Sequence, residues 1–320
     1  MKKFLCKLCV FILLTSSVLL ILNWLYFPIS LKIDLYGVKK YQDMPERIQI
    51  CNFGSSHGLH AFNYDGVSDK FSCFNFATES QTLTYDYRLL QHYIDRIDEG
   101  GIVFIVVSYF SLFGRPEEET ERFISRNNRY YKIIPAELIK NYDFITDVII
   151  NYLPVLTFDT GRTLKAISGR QKEKEADDTK TAERFDDIKD VGEKRAEFHF
   201  AGIRPYEDGK IIFNHEKEEA LYKMIELCRK KNLIPILVRT PYLTEYSEPF
   251  KRDSEFMKVS EAALSEVLKK TGVRYYDYSE DERFSHDYKV FNDTDHLNNS
   301  TGGLKFTNIL ISEVMHDLKQ

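Results

Sequence analysis

Residues 101–107 read Gly-Ile-Val-Phe-Ile-Val-Val, an apolar, largely β-branched run with no polar interruption. A run of this kind fits a strand covered on both faces, the environment found inside a parallel sheet. Upstream, Arg47-Ile48-Gln49-Ile50-Cys51-Asn52-Phe53 alternates in character and then meets Gly54-Ser55-Ser56, which reads as a strand ending in a turn into a helix. Residues 71–76 give a second short strand, and residues 85–97 carry a helical pattern between it and 101–107. Downstream, a helix over 217–231 places Leu221, Met224, Ile225 and Cys228 on one side and precedes a strand over 233–238. A helix over 254–270, a strand over 273–278 and a closing helix over 301–319 follow. Strand alternating with helix predicts an α/β fold: a three-layer, doubly wound, mainly parallel sheet.

Residues 115–200 break this rhythm and read as an insertion, Tyr-rich around Tyr130 and then densely charged from Lys165 to Glu197. The low hydrophobicity of that second part predicts a mobile, solvated loop, with a substrate-gating or partner-docking lid as the alternative.

The first 31 residues are set apart from the rest. Their only charged residues are Lys2, Lys3 and Lys7, and residues 8–27 carry no charge. About 20 helical residues at 1.5 Å each span the hydrocarbon core of a bilayer, so an N-terminal transmembrane anchor is expected over 1–31. No A-x-A cleavage pattern follows it, although Ser16-Ser17 leaves processing open. The basic head should stay cytoplasmic, which places residues 32–320 outside the membrane with Trp24 and Tyr26 at the outer interface.

The whole chain has 320 residues, 44 Lys+Arg against 49 Asp+Glu, and 43% hydrophobic residues. That is a globular composition, and the acidic balance argues against a nucleic-acid-binding protein. Cys51, Cys73 and Cys228 show no C-x-x-C spacing, so no zinc site is expected. One disulfide such as Cys51–Cys73, or buried free thiols, are the readings left.

Two constellations carry possible chemistry. Asn52-Phe53-Gly54-Ser55-Ser56-His57 sets a serine at the start of a helix, where unpaired N–H groups favour a developing negative charge, although Gly-Ser-Ser is also an ordinary helix cap. Asp293-Thr294-Asp295-His296 offers a base and an orienting carboxylate just before the closing helix. A serine hydroxyl is too weakly acidic to attack an ester unaided, so His296 would take its proton while Asp293, or Asp295 in its place, fixes the imidazole.

Taken in this order, the two segments resemble the SGNH (GDSL-like) hydrolase and acyltransferase superfamily over about residues 46–112 and 216–318. The resemblance implies a flavodoxin-like sheet and makes Ser56 the nucleophile, with Asp293 and His296 completing a triad. Residues 75–82, Asn-Phe-Ala-Thr-Glu-Ser-Gln-Thr, look like the second block, in which the position of Ser80 is normally glycine and its N–H joins that of Ser56 in the oxyanion hole. The third block departs from the family: Ser108-Tyr109-Phe110-Ser111 lacks the expected asparagine, leaving Gln81 or the Ser108 hydroxyl as substitutes. The anchor and the Gly-Ser-Ser form look most like envelope proteins of lipoteichoic acid D-alanylation and alginate acetylation.

The resulting expectation is a single-pass membrane acyltransferase that moves a small acyl group to a cell-envelope polysaccharide or teichoic-acid-type polymer, in partnership with a multispanning membrane acyltransferase. A carbohydrate or lipid esterase and a non-catalytic accessory protein are the alternatives. No cofactor and no metal are expected. Arg239, at the end of the strand 233–238, is a candidate for an anionic substrate or for pairing with a nearby carboxylate. His57 and His60 read as packing and surface residues, and the tyrosines at 242, 246, 275, 276 and 278 as packing residues able to stack on sugars.

Overall fold

The computed structural model describes residues 1–31, 33, 38–115, 127–168, 188–203 and 209–319. Its strands are β1 (Ile48–Phe53), β2 (Cys73–Asn75), β3 (Ile97–Val106), β4 (Ile234–Arg239) and β5 (Arg274–Asp277). Its helices are α1 (Lys2–Ser30), α2 (Ser56–Ala61), α3 (Leu83–Tyr93), α4 (Phe144–Tyr152), α5 (Thr160–Ser168), α6 (Ile188–Ile203), α7 (His215–Lys230), α8 (Thr244–Arg252), α9 (Ser254–Thr271) and α10 (Leu304–Asp317). The chain forms two compact units, residues 1–39 with 120–175 and residues 40–119 with 176–320.

The second unit is built on a sheet of order β2-β1-β3-β4-β5, parallel at every pairing. Its centre is the run read first from the sequence. Ile102, Val103, Phe104 and Ile105 pair with β1 on one side and β4 on the other, Val106 pairs with β4, and all five are buried. Strand periodicity divides them between two faces. Ile50, Ile102, Phe104, Val106, Ile236 and Val238 join Phe62, Phe306, Leu310 and Val314 in one core on the side of α2 and α10. Cys51, Phe53, Val103, Ile105 and Leu237 are equally buried and alternate with these, so they face the other side, where α7 packs on β4 and on α3. All five cysteines are free thiols, and Cys51 is buried within β1.

Because every strand is parallel, the carboxyl ends lie along one edge. The order places β1 beside β3 while the chain leaves β1 toward β2 in the opposite direction. In doubly wound sheets this reversal opens a crevice at the carboxyl ends, where ligands bind. Gly54 makes the turn out of β1 here. It sits at φ +146°, and a Cβ on it would come 2.8 Å from the Cβ of Val106, so both backbone and neighbour demand glycine.

The charged segment 165–197 departs from its expectation where it is described. The expected mobility of 169–187 falls outside the described residues. From Ile188 onward the chain is helical, and α6 packs against α8 within the second unit. Gly192 allows the close approach, since a Cβ there would lie 2.6 Å from the Glu245 carbonyl oxygen.

The first unit holds α1 together with α4 and α5. Helix α1 is long and apolar enough to cross a membrane. Near its end Trp24 is exposed and Tyr26 is buried: the Tyr26 hydroxyl lies 3.3 Å from Thr163 Oγ1 and its ring packs edge-on against Phe158.

Candidate active site

The crevice brings the two sequence constellations together. Ser56 opens α2 directly after the Gly54 turn, and His296 sits in the loop before α10. Asn299 Nδ2 donates to the carbonyls of His60 and Phe62, and Thr307 Oγ1 donates to that of Ala61, which ties the end of α2 to the histidine loop. With the two segments held in this way, His296 Nε2 lies 2.8 Å from Ser56 Oγ, and its Nδ1 lies 2.8 Å from Asp293 Oδ2. Asp293 also accepts the His296 backbone N–H at 2.8 Å, so one carboxylate fixes both backbone and ring. A carboxylate can only accept, which puts the imidazole proton on Nδ1 and leaves Nε2 free to receive the serine proton.

The Ser80 loop lies beside this serine, with Thr78 N–H donating to the Gly54 carbonyl at 3.3 Å. Among the described residues the backbone N–H groups of Ser56 and Ser80 meet no protein acceptor. Ser80 has φ +53°, the left-handed conformation that glycine adopts without strain. Replacing Ser80 by Gly is therefore expected to stabilise the fold by about 0.5–1 kcal/mol while keeping the N–H. Chemical denaturation checks this, and a loss of stability would contradict the reading of the turn.

Three sequence candidates are committed elsewhere. Gln81 Nε2 donates to Asp86 Oδ1 at 2.6 Å and to the Phe76 carbonyl, while its Oε1 accepts from Thr78, so this side chain does not reach into the site. Ser108 Oγ is held 2.6 Å from His57 Nδ1, and its backbone N–H donates to Ser111 Oγ. Neither supplies the third oxyanion donor. Arg239 donates to Asp277 Oδ2 at 3.1 Å and stacks on Tyr109, the carboxylate pairing that the sequence left as its alternative.

Asp295 is not the orienter of His296. It is buried and holds a second ion-pair network, accepting from His57 Nε2 at 3.0 Å and from Arg195 Nε at 2.9 Å. His57, expected to be a packing residue, is its centre. With Nε2–H given to Asp295, its Nδ1 accepts from the hydroxyls of Ser108 and Tyr242. His199, from α6, lies 2.6 Å from the Tyr246 hydroxyl. Arg195 and His199 both come from the segment read as an insertion over 115–200, Arg195 from its charged part and His199 from just beyond it. His60 remains at the surface, 3.0 Å from Glu79.

No family model matches this chain, and no curated protein matches it. Among solved structures, one described as a "putative acylhydrolase" from Bacteroides fragilis NCTC 9343 is similar at 11% identity and a TM-score of 0.40, covering 88% of this chain and 95% of that one. A likeness that loose bears on neither the family nor the chemistry.

The electrostatics follow from the two networks. Burial works against a charge on His296, but the Asp295 carboxylate, and then the hydrogen bond and charge of Asp293, outweigh it and raise its pKa to about 8. His57 goes the other way, because burial dominates its Asp295 contacts and lowers its pKa. Burial likewise takes His199 down to about 3, so its ring is neutral beside the Tyr246 hydroxyl. Burial alone would raise Asp295, but the charge of His296 and the His57 hydrogen bond hold its carboxyl well below the usual range.

His57, Asp295 and His296 have ligand atoms within 4.8 Å of one another, a set that can close on a cation. Arg195 on the same carboxylate opposes one, and each of the three donors already has a protein partner.

Proposed function

We propose that this protein is a membrane-anchored serine acyltransferase that moves a small acyl group onto a cell-envelope polysaccharide or teichoic-acid-type polymer outside the cytoplasm. The observation that carries the chemistry is the continuous relay from Ser56 through His296 to Asp293 at the carboxyl edge of a parallel sheet. The apolar helix α1, headed by Lys2, Lys3 and Lys7, supports the anchoring and the orientation.

In the reaction, His296 Nε2 takes the Ser56 proton as Oγ bonds to the carbonyl carbon of an acyl ester. The oxyanion is received by the N–H groups of Ser56 and Ser80, and His296 then returns the proton to the departing alkoxide as the old ester bond breaks. An acceptor hydroxyl next gives its proton to His296 as its oxygen bonds to the acyl carbon, and His296 passes that proton to Ser56 Oγ as the acyl–serine bond breaks. Water in place of that hydroxyl makes the same site an esterase. A multispanning membrane acyltransferase is the proposed source of the acyl group.

The base must be neutral to act. With a pKa of about 8, His296 is largely protonated at neutral pH, so kcat/KM for p-nitrophenyl acetate is expected to rise with pH and level off above about 8. The rate from pH 5 to 10 tests this, and a rate that is flat or falls across that interval would exclude His296 as the base. Adding a hexose or glycerol acceptor separates the outcomes: acylated acceptor supports transfer, whereas free acetate alone supports hydrolysis.

A further inference from the structure

The first unit carries an apolar surface that its own fold does not cover. Between Phe144 and Phe158 the only charged side chain is Asp147, and it accepts from the Tyr142 hydroxyl at 2.6 Å. Phe144, Ile145, Tyr152, Leu156 and Phe158 are each more than half exposed. Helix α5 is inverted relative to a soluble helix: Leu164 and Ile167, one turn apart, face outward at 60% and 62% exposure, while Thr163 and Ala166 are buried. An exposed patch of this kind marks a surface that meets something apolar.

The contact with α1 says what covers it. Asn23 is the polar interruption near the outer end of the charge-free stretch 8–27. Its Nδ2 donates to the Tyr152 carbonyl at 2.8 Å, and its Oδ1 accepts from the Val155 N–H at 3.3 Å. A side-chain amide within a membrane helix needs such partners, and here the last residue of α4 and the backbone just after it supply them. Asn23 lies four residues before Phe27, about 6 Å along the helix, which is the depth at which interfacial helices bury their apolar faces. Tyr26 packs on Phe158 one turn closer to that end.

We propose that residues 144–168 form a second membrane-embedded element, a pair of short helices seated in the interfacial layer against α1, with lipid acyl chains covering Phe144, Tyr152, Leu156, Phe158, Leu164 and Ile167. The proposal rests on α1 crossing the bilayer and is independent of the chemistry at Ser56. Asp143, whose carboxylate accepts the Thr146 N–H at 2.6 Å at the start of α4, stays at headgroup level.

Trp24 is the sole tryptophan and supplies an internal standard. The full chain is reconstituted in phosphatidylcholine–phosphatidylglycerol vesicles with or without brominated acyl chains, as the native protein and as Trp24→Phe carrying Phe158→Trp or Ile167→Trp. Phe158 touches Tyr26, so the Ile167 variant, at an outward position, guards against a packing defect. Bromolipid quenching of both new tryptophans to at least about half the depth seen for Trp24 is expected. Quenching by aqueous iodide instead overturns the proposal, as does protection from both quenchers, which would mean that protein covers the face. An unquenched Trp24 overturns it through α1 itself.

Discussion

Ser56→Ala is expected to lower the turnover of an activated acyl ester by about 10⁴-fold or more, with little change in stability. The size follows from the role: without Oγ no acyl-enzyme forms, and His296 is left 2.8 Å from a vanished partner. His296→Ala should cost nearly as much, and the double variant little more than either alone, because the two side chains act as one unit. Steady-state rates with p-nitrophenyl acetate check this. Full additivity of the two losses would show that serine and histidine act separately, and an unchanged Ser56→Ala rate would move the nucleophile elsewhere.

Asp295→Ala is expected to destabilise the fold by about 3–5 kcal/mol, because it leaves His57 buried without its acceptor and removes the partner of Arg195. Asp295→Asn keeps one acceptor oxygen and should cost less. It should also move activity in a distinctive direction. The Asp295 charge is the largest influence raising the pKa of His296, so removing it lets burial pull that value down, and the rise of kcat/KM should move to lower pH. The linkage to stability has a definite sign as well. Asp295 is held below its unfolded value near 3.8, so its contribution is complete above that pH and is lost as pH falls through the depressed value. Urea midpoints at pH 7 and pH 3, with the Asn variant beside the wild type, read both effects. A wild-type-like pH profile for Asp295→Asn would contradict the electrostatic coupling.

The sheet was legible because its signal is local. The uninterrupted run at 101–107 and the strand-turn-serine at 47–56 each carry their periodicity within a few residues, and the structure places them as neighbours. The Ser56, Asp293 and His296 grouping was legible through residue type and position before a helix. Spacing alone left Asp293 and Asp295 open, since both lie within three residues of His296, and it was the resemblance that favoured Asp293, the carboxylate found on Nδ1. The second network was hidden for a different reason. Asp295 meets His57 across 238 positions and Arg195 across 100, and Arg195 stands in a run whose composition reads as solvated. Only Gly192, a small residue inside a charged helix, hinted that this segment packs closely on another. The apolar stretch 144–158 is visible as fifteen residues with one charge, but it is too short to read as a spanning helix and does not alternate as a strand.

Intact-mass spectrometry of the full chain after brief exposure to p-nitrophenyl acetate, followed by peptide mapping, tests the central assignment most directly. One acetyl group confined to Ser56, absent from Ser56→Ala and from His296→Ala, is the result expected of the relay. An acetyl group on another residue, or equal labelling of wild type and Ser56→Ala, would contradict it.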